Sequence, residues 1–143
     1  MRVFNNIAEL VAELDIARNN GLSIGFVPTM GALHQGHLSL INEAANENNI
    51  VVISIFVNPT QFNNSDDLKK YPRNLEKDIE LLKSTECSFI FAPSENDIYP
   101  NEDSKNSGYQ LGRITEVLEG KFRPGHFEGV ATVVSRLFEI VKP

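Results

Sequence analysis

The sequence predicts an α/β protein built around a parallel sheet. Two apolar stretches, residues 22–27 and 50–57, have the character of buried strands, and residues 36–48 between them carry apolar side chains at helical spacing. A strand, a helix and a strand in that order form a βαβ unit, which requires parallel pairing and a right-handed crossover. Ligands bind beyond the carboxyl ends of the strands in such sheets, so the loops after residues 27 and 57 form the candidate site.

The other regular elements are predicted from the same signals. Residues 6–20 have the spacing of an amphipathic helix that begins with Asn6 as its cap and ends at Gly21. Further elements are a helix over residues 75–83, a strand over 89–92, one helical turn over 115–118 and a helix over 127–141. Of the stretches between these elements, residues 63–73 are predicted to form a surface loop and residues 119–126 a second loop. Residues 94–100 are predicted to be irregular, and residues 101–108 have a disorder-like composition.

Composition narrows the class of protein. The chain has 143 residues, enough for one domain with a real core, and its hydrophobic content of 41% and charged content of 22% are ordinary for a globular protein. A net charge of −6 without a run of Lys or Arg argues against nucleic-acid binding. The single cysteine allows no internal disulfide, and we find neither a signal-peptide pattern nor an apolar run of the roughly 20 residues that a membrane span needs. We therefore expect a cytoplasmic protein with no membrane partner.

The most informative stretch is FVPTMGALHQGH at residues 26–37. It has the pattern of a strand end, a glycine-containing turn and a helix start, where free backbone N–H groups and the helix dipole favour an anion. His34 and His37 add hydrogen-bonding and proton-transfer capacity, so the stretch predicts a nucleotide triphosphate site. Two alternatives remain: a structural pair of turn histidines, and a zinc pair. Zinc is less favoured because helical zinc sites space their histidines at i and i+4, and the only other histidine is His126.

Two later loops carry further candidate residues. Asn58 and Gln61 follow the strongest predicted strand, where they serve either turn chemistry around Pro59 or recognition of a hydroxy acid, since an amide both donates and accepts. The loop over 119–126, stiffened by glycine and proline, contains Glu119, Arg123 and His126. It is either a solvated loop or one wall of a site.

Four motifs together resemble the pantothenate synthetase (pantoate–β-alanine ligase) family. They are PTMGALHQGH at residues 28–37, FVNPTQF at 56–62, DIYP at 97–100 and EGKFRPGHF at 119–127, in the family's order. The histidine motif alone is shared with other nucleotidyltransferases and with class I aminoacyl-tRNA synthetases, but the four blocks together are specific.

The resemblance implies a Rossmann-like nucleotidyltransferase (HxGH) fold, a parallel sheet flanked by helices. It implies ATP-dependent, Mg²⁺-assisted conversion of pantoate to a pantoyl-adenylate, which the β-alanine amine attacks to give pantothenate, AMP and pyrophosphate. The small molecules pantoate, β-alanine and ATP are then the partners, and the protein is expected to be a homodimer.

The resemblance also assigns roles to individual residues. His37 and His34 would be catalytic, with His37 as the proton donor and His34 on a phosphate. ATP would be held by Met30, Gly31, Ala32, Leu33, His34, Gln35, Gly36 and His37. Pantoate or β-alanine would contact Pro28, Thr29, Met30, Asn58, Gln61, His126, Val133 and Val134, with Glu119 and Arg123 in support. No metal-ligating residues are expected.

Family members continue for about as many residues again, with a Gly-Glu-Lys-Asp block, a phosphate-binding loop and a C-terminal lid domain that residues 1–143 do not contain. We therefore expect residues 1–143 to be an N-terminal nucleotide- and pantoate-binding domain that is catalytically feeble alone. The alternatives are another HxGH nucleotidyltransferase and a non-catalytic ligand-binding or dimerisation module.

Overall fold

The protein contains a parallel four-stranded sheet. A computed structural model describes residues 1–62, 64–106, 108–109, 111–116 and 119–143, with side chains described for all of these except 65, 114, 116, 119 and 120. Within this part of the chain the strands are β1 (Arg2–Phe4), β2 (Ile24–Thr29), β3 (Ile50–Ile55) and β4 (Phe89–Phe91), in the spatial order β1-β4-β3-β2. All three pairings are parallel, which confirms the predicted sheet.

Helices cover both faces of the sheet. They are α1 (Ile7–Asn19), α2 (Gln35–Glu47), α3 (Ser65–Lys70), α4 (Leu75–Leu82), α5 (Glu95–Ile98), α6 (Glu119–Phe122) and α7 (His126–Val141). Short 3₁₀ turns occupy Pro59–Gln61, Glu102–Lys105 and Gly112–Glu116. The predicted cap of α1 is confirmed, because the Asn6 side chain accepts the N–H groups of Ala8 and Glu9. Among the described residues no helix combines the length and apolar content of a membrane span.

The core lies in two layers on opposite faces of β3. Val51 and Ile53 pack on one side with Ile41 of α2 and Leu82 of α4, whereas Val52 faces α1 and α7 on the other. Successive side chains of a strand point to opposite faces, so a strand covered on both sides needs an unbroken apolar run. This explains the β-branched sequence of residues 50–53.

The predictions were wrong where elements are too short to show a period. β1, only three residues long, was not predicted, and its single buried side chain is Phe4. The stretch 63–73, predicted to be a surface loop, contains α3, which the Asn64 side chain caps. The stretch 94–100, predicted to be irregular, contains α5, which begins with a capping box between Ser94 and Asp97. These helices are specified by caps rather than by an apolar face.

Two further stretches differ from prediction or lie partly outside the described residues. The loop predicted over 119–126 contains α6 and the first residue of α7. The disorder-like stretch 101–108 contains a 3₁₀ turn capped by Asn101, with residue 107 outside the described part. For the helical turn predicted over 115–118, the structure describes the 3₁₀ turn Gly112–Glu116, and residues 117 and 118 lie outside it.

Candidate functional site

A strained turn follows β2 at the carboxyl edge of the sheet. The Thr29 hydroxyl donates to the Ser54 carbonyl oxygen of β3 at 2.7 Å and accepts the Gly31 N–H at 3.2 Å. Gly31 and Ala32 then have φ angles of +80° and +51°. The left-handed region costs a residue with a Cβ roughly 1–2 kcal/mol, so Ala32 needs support from its surroundings.

Asp78 of α4 supplies that support. Its carboxylate, in a residue only 4% exposed, accepts the Ala32 N–H through Oδ2 at 3.0 Å and the Leu33 N–H through Oδ1 at 2.8 Å. The expectation that the backbone N–H groups of this turn are free for an anion is therefore wrong for Ala32 and Leu33. The turn is held by the protein itself, and an anion must find other donors.

The two histidines present such donors. His34 caps α2 and accepts the Gly36 N–H at Nδ1 (3.1 Å), while the His34 N–H donates to Nδ1 of His37 at 3.3 Å. A backbone N–H only donates, so both Nδ1 atoms act as acceptors and each neutral ring carries its hydrogen on Nε2. The ring centroids lie 4.1 Å apart. The pair thus offers two neighbouring Nε2–H donors.

Burial favours the neutral form of His37. It lowers the pKa of His37, the positive charge of a protonated His34 lowers it further, and the Asp78 carboxylate acts in the opposite direction. His37 is therefore a neutral hydrogen-bond donor at physiological pH.

His37 opens onto a cavity of about 280 Å³ beyond the carboxyl ends of β2 and β3. Apolar side chains form most of its wall, and its polar side chains are those of Thr29, His37, Gln61 and Tyr71. The predicted substrate residues that line it are Pro28, Thr29, Met30, Gln61, Val133 and Val134, and it adds Phe56, Tyr71, Val130 and Leu137. Residues from two of the four motifs and from α7 thus meet in one cavity.

A second cavity of about 360 Å³ shares Met30, Gln61 and Tyr71 with the first. Arg123 and His126, predicted from the glycine- and proline-rich loop, line it together with Phe62, Asp67, Lys70 and Pro72. The loop is therefore a wall beside Gln61. Glu119 belongs to α6, but its side chain is outside the described part of the chain.

Asn58 lies behind Gln61 rather than in the wall of either cavity. It is 0% exposed, and its Nδ2 donates to the Gln61 Oε1 at 3.0 Å and to the Gly129 carbonyl oxygen at 3.1 Å. Its Oδ1 accepts from the Tyr99 hydroxyl at 2.8 Å. The geometry therefore gives Asn58 a part in orienting Gln61, in place of the direct ligand contact that the resemblance implies.

Gly129 brings α7 against this network. A Cβ at this position would lie 2.4 Å from the Thr60 carbonyl oxygen, so only glycine allows the approach. The sequence analysis missed Gly129, although a glycine inside a helical pattern costs about 1 kcal/mol relative to alanine and so signals a packing requirement. His126, at the start of α7, has Nδ1 3.0 Å from the Gln61 carbonyl oxygen.

The predicted ATP residues do not all face one cavity. Leu33, His34 and Gln35 line a separate groove beside α4, whereas Met30 and His37 line the 280 Å³ cavity. Within the described side chains no group of three or more His, Cys, Asp or Glu is placed to hold a metal ion.

The parallel sheet, the helices on both faces and the histidine pair at the start of α2 define a nucleotidyltransferase-type α/β fold. The profile of the family described as pantoate-beta-alanine ligase matches residues 2–143. The chain belongs to this family, which confirms the resemblance drawn from its motifs.

Individual relatives agree. The chain is 53% identical over 143 residues to the pantothenate synthetase of Phocaeicola vulgatus, covering 100% of this chain and 50% of that protein. It is similar to the crystal structure of the Thermus thermophilus pantothenate synthetase, with a TM-score of 0.89 and 46% identity over 100% of this chain and 50% of that one. The structure of the Francisella tularensis pantoate-beta-alanine ligase complexed with beta-gamma ATP and beta-alanine gives a TM-score of 0.90 and 48% identity, covering 100% of this chain and 54% of that one. The chain spans about half the length of the curated relatives it matches.

Proposed function

We propose that this chain is the nucleotide- and pantoate-binding domain of a pantothenate synthetase, which joins pantoate to β-alanine with ATP through a pantoyl-adenylate. The observation that carries the proposal is the 280 Å³ cavity, whose mostly apolar wall carries the Gln61 amide at the carboxyl edge of the sheet. Pantoate is a small hydroxy acid with a dimethyl carbon, so the apolar wall suits its carbon atoms and the amide suits its oxygens.

The proposed first step forms a bond between a pantoate carboxylate oxygen and the α-phosphorus of ATP and breaks the bond to pyrophosphate. Negative charge accumulates on phosphate oxygens during this exchange, and preorganised donors stabilise it best. The Nε2–H groups of His34 and His37 are such donors, since their Nδ1 atoms are already held by backbone N–H groups. Their proposed role is hydrogen bonding to phosphate.

In the second step the β-alanine nitrogen bonds to the acyl carbon, AMP leaves and the nitrogen loses a proton. The cavity that contains Lys70, Arg123 and His126 adjoins the pantoate cavity at Gln61. Its cations suit a second carboxylate, which supports β-alanine as its ligand. The complex of the Francisella tularensis relative with beta-gamma ATP and beta-alanine supports the same pair of substrates.

Among the described side chains no group of three or more His, Cys, Asp or Glu is placed to hold a metal ion, and the Asp78 carboxylate already accepts two backbone N–H groups. We propose that Mg²⁺ is held by the phosphates of ATP, as is usual for this ion. The homodimer, the cytoplasmic location and the lack of nucleic-acid and membrane partners stay predictions from the sequence.

Isothermal titration calorimetry of the chain with pantoate, and separately with ATP–Mg²⁺, tests the proposal. We expect both to bind, with Gln61→Ala weakening pantoate about 10- to 100-fold, the value of a hydrogen bond to a charged ligand. Gln35→Ala, outside the pantoate cavity, is the matched control. No pantoate binding at millimolar concentrations would refute the proposal, and ATP binding without pantoate binding would favour another HxGH nucleotidyltransferase.

Pyrophosphate release from ATP and pantoate tests the domain assignment. The 143-residue chain is expected to release pyrophosphate only feebly. A rate equal to that of the Phocaeicola vulgatus relative would contradict the assignment of residues 1–143 as a binding domain only.

A further inference from the structure

A buried polar network lies behind the wall that carries Gln61. We infer that Tyr99 is a positioning residue that acts through Asn58 to fix the Gln61 carboxamide with its NH₂ group toward the pantoate cavity. In this orientation Gln61 favours the binding of a hydroxy acid over the corresponding amino acid. The inference rests on the proposed function, because it names what the proposed pantoate site rejects.

The orientation of the Asn58 carboxamide follows from two backbone groups. The Gly129 carbonyl oxygen can only accept, so the Asn58 atom 3.1 Å from it is the NH₂ nitrogen. The Thr60 N–H can only donate, so the Asn58 atom 3.3 Å from it is the oxygen. Neither contact permits the reversed amide.

The orientation of Gln61 follows from that of Asn58. One Asn58 hydrogen is taken by Gly129, and the other points to a Gln61 atom 3.0 Å away, which must be an acceptor and therefore Oε1. The Gln61 NH₂ group is then the part of the amide that remains for the cavity. A reversed Gln61 would set two NH₂ groups against each other in a site where Asn58 has no exposed surface.

Tyr99 completes the network from a distant element. It follows α5, is 3% exposed, and its hydroxyl donates to the Asn58 Oδ1 at 2.8 Å, closer than either donor group of Thr60. Burial raises the pKa of the Tyr99 phenol, so it stays a donor at physiological pH. The DIYP motif thereby reaches the substrate wall without touching the substrate.

The consequence is that Gln61 presents its NH₂ group, a donor, to the cavity. A hydroxyl or carboxylate oxygen accepts from this group, whereas an ammonium group at the same place would set donor against donor and leave buried groups unpaired. Discrimination between a 2-hydroxy acid and its 2-amino analogue therefore depends on the network.

The test compares the affinities for pantoate and for its 2-amino analogue by calorimetry. We expect the chain to prefer pantoate by at least tenfold, and Tyr99→Phe to narrow that preference about three- to tenfold while leaving ATP–Mg²⁺ binding unchanged. Tyr109→Phe is the matched control, since the Tyr109 hydroxyl forms a solvent-exposed hydrogen bond with the Ser135 hydroxyl. An unchanged preference in Tyr99→Phe would overturn the inference.

A measurement without ligand separates this inference from the proposed function. Both hydrogens of the Asn58 NH₂ group are bonded, so in nitrogen-15 spectra they should exchange with water more slowly than those of Gln61, and faster in Tyr99→Phe than in the parent chain. Failure of pantoate to bind while Asn58 stays protected would refute the proposed function alone. Rapid exchange at Asn58, or protection at Gln61 instead, would overturn the network whatever the ligand.

Discussion

Asp78→Asn tests whether a buried carboxylate holds the turn that carries the histidine pair. The two carboxylate oxygens accept the N–H groups of Ala32 and Leu33 at 3.0 and 2.8 Å. Asparagine keeps one acceptor and sets an NH₂ group against the other N–H. The turn then loses one bond while Ala32 still has a φ of +51°.

The size of the effect follows from the burial of the site. A hydrogen bond to a charged group contributes about 1.5–3 kcal/mol, and an unsatisfied buried N–H costs about 1–3 kcal/mol. These two energies partly describe the same loss and are not added. Asp78 is only 4% exposed, so water screens the interaction little and is a poor substitute for the lost acceptor. Removing a buried charge recovers part of its desolvation cost. We expect a net loss of about 2 kcal/mol in the free energy of unfolding.

Urea denaturation measures this loss. With a slope of about 2 kcal/mol per molar urea, the midpoint should fall by about 1 M without a change in slope. An NMR titration of His37 gives a second reading. The Asp78 charge acts to raise the pKa of His37, so Asp78→Asn should lower that pKa further.

Asp97→Asn provides the matched control. Asp97 also accepts a backbone N–H, that of Ser94 at 2.8 Å, but at an exposed helix start where water can take its place. Its effect should be clearly smaller. An Asp78→Asn midpoint no lower than that of Asp97→Asn, or an unchanged His37 titration, would refute the argument that Asp78 stabilises the turn.

Three other predictions concern α7, the histidine pair and α1. Gly129→Ala should lower the free energy of unfolding by about 1–3 kcal/mol and weaken pantoate binding, because its Cβ would lie 2.4 Å from the Thr60 carbonyl oxygen. If helix propensity alone decided the outcome, urea denaturation would instead show a more stable protein. The pKa of His37 lies below its usual 6.5, so the unfolded chain binds that proton more readily and stability should fall as the pH drops through 6.5 toward the folded pKa. In His37→Gln the urea midpoint should change less with pH over the same range. An unchanged pH dependence would contradict the assignment of this effect to His37. Arg18→Ala should lower the free energy of unfolding by about 1 kcal/mol in thermal or urea unfolding, because Arg18 donates to carbonyl oxygens at the carboxyl end of α7. Lys83→Ala, which removes an exposed ion pair, is the control. An Arg18→Ala effect no larger than that of the control would argue against the contact with α7.

The fold was predictable wherever an element carries its own pattern. The apolar run of residues 50–57 predicted β3, and helical spacing predicted α1, α2, α4 and α7. β1 has only three residues, and the period of a strand cannot be recognised over that length. Its partner in the sheet, β4, lies far along the chain, so only the tertiary structure shows the pairing.

The sequence predicted many of the residues that line the candidate site, but not the residues that hold them in place through hydrogen bonds. Met30 and Gln61 come from different motifs, yet they meet because β2 and β3, which precede them, end at one edge of the sheet. Asp78 lies 46 residues from Ala32, and Tyr99 lies 41 residues from Asn58. A lone aspartate in an amphipathic helix and a tyrosine before a proline have no local pattern that marks these contacts.

The way the turn is held also bears on the proposed reaction. Its Ala32 and Leu33 N–H groups are bonded to Asp78, so under the proposed function the Nε2–H groups of His34 and His37 are the donors that a phosphate would meet. Among the described residues that line the cavity around His37 there is no Lys or Arg. Neutral donors position a triphosphate, but they do not cancel its charge as cations do. Under the proposed function, the described residues around His37 therefore leave the charge of ATP uncompensated, and we expect this chain to bind ATP and pantoate far better than it adenylates pantoate.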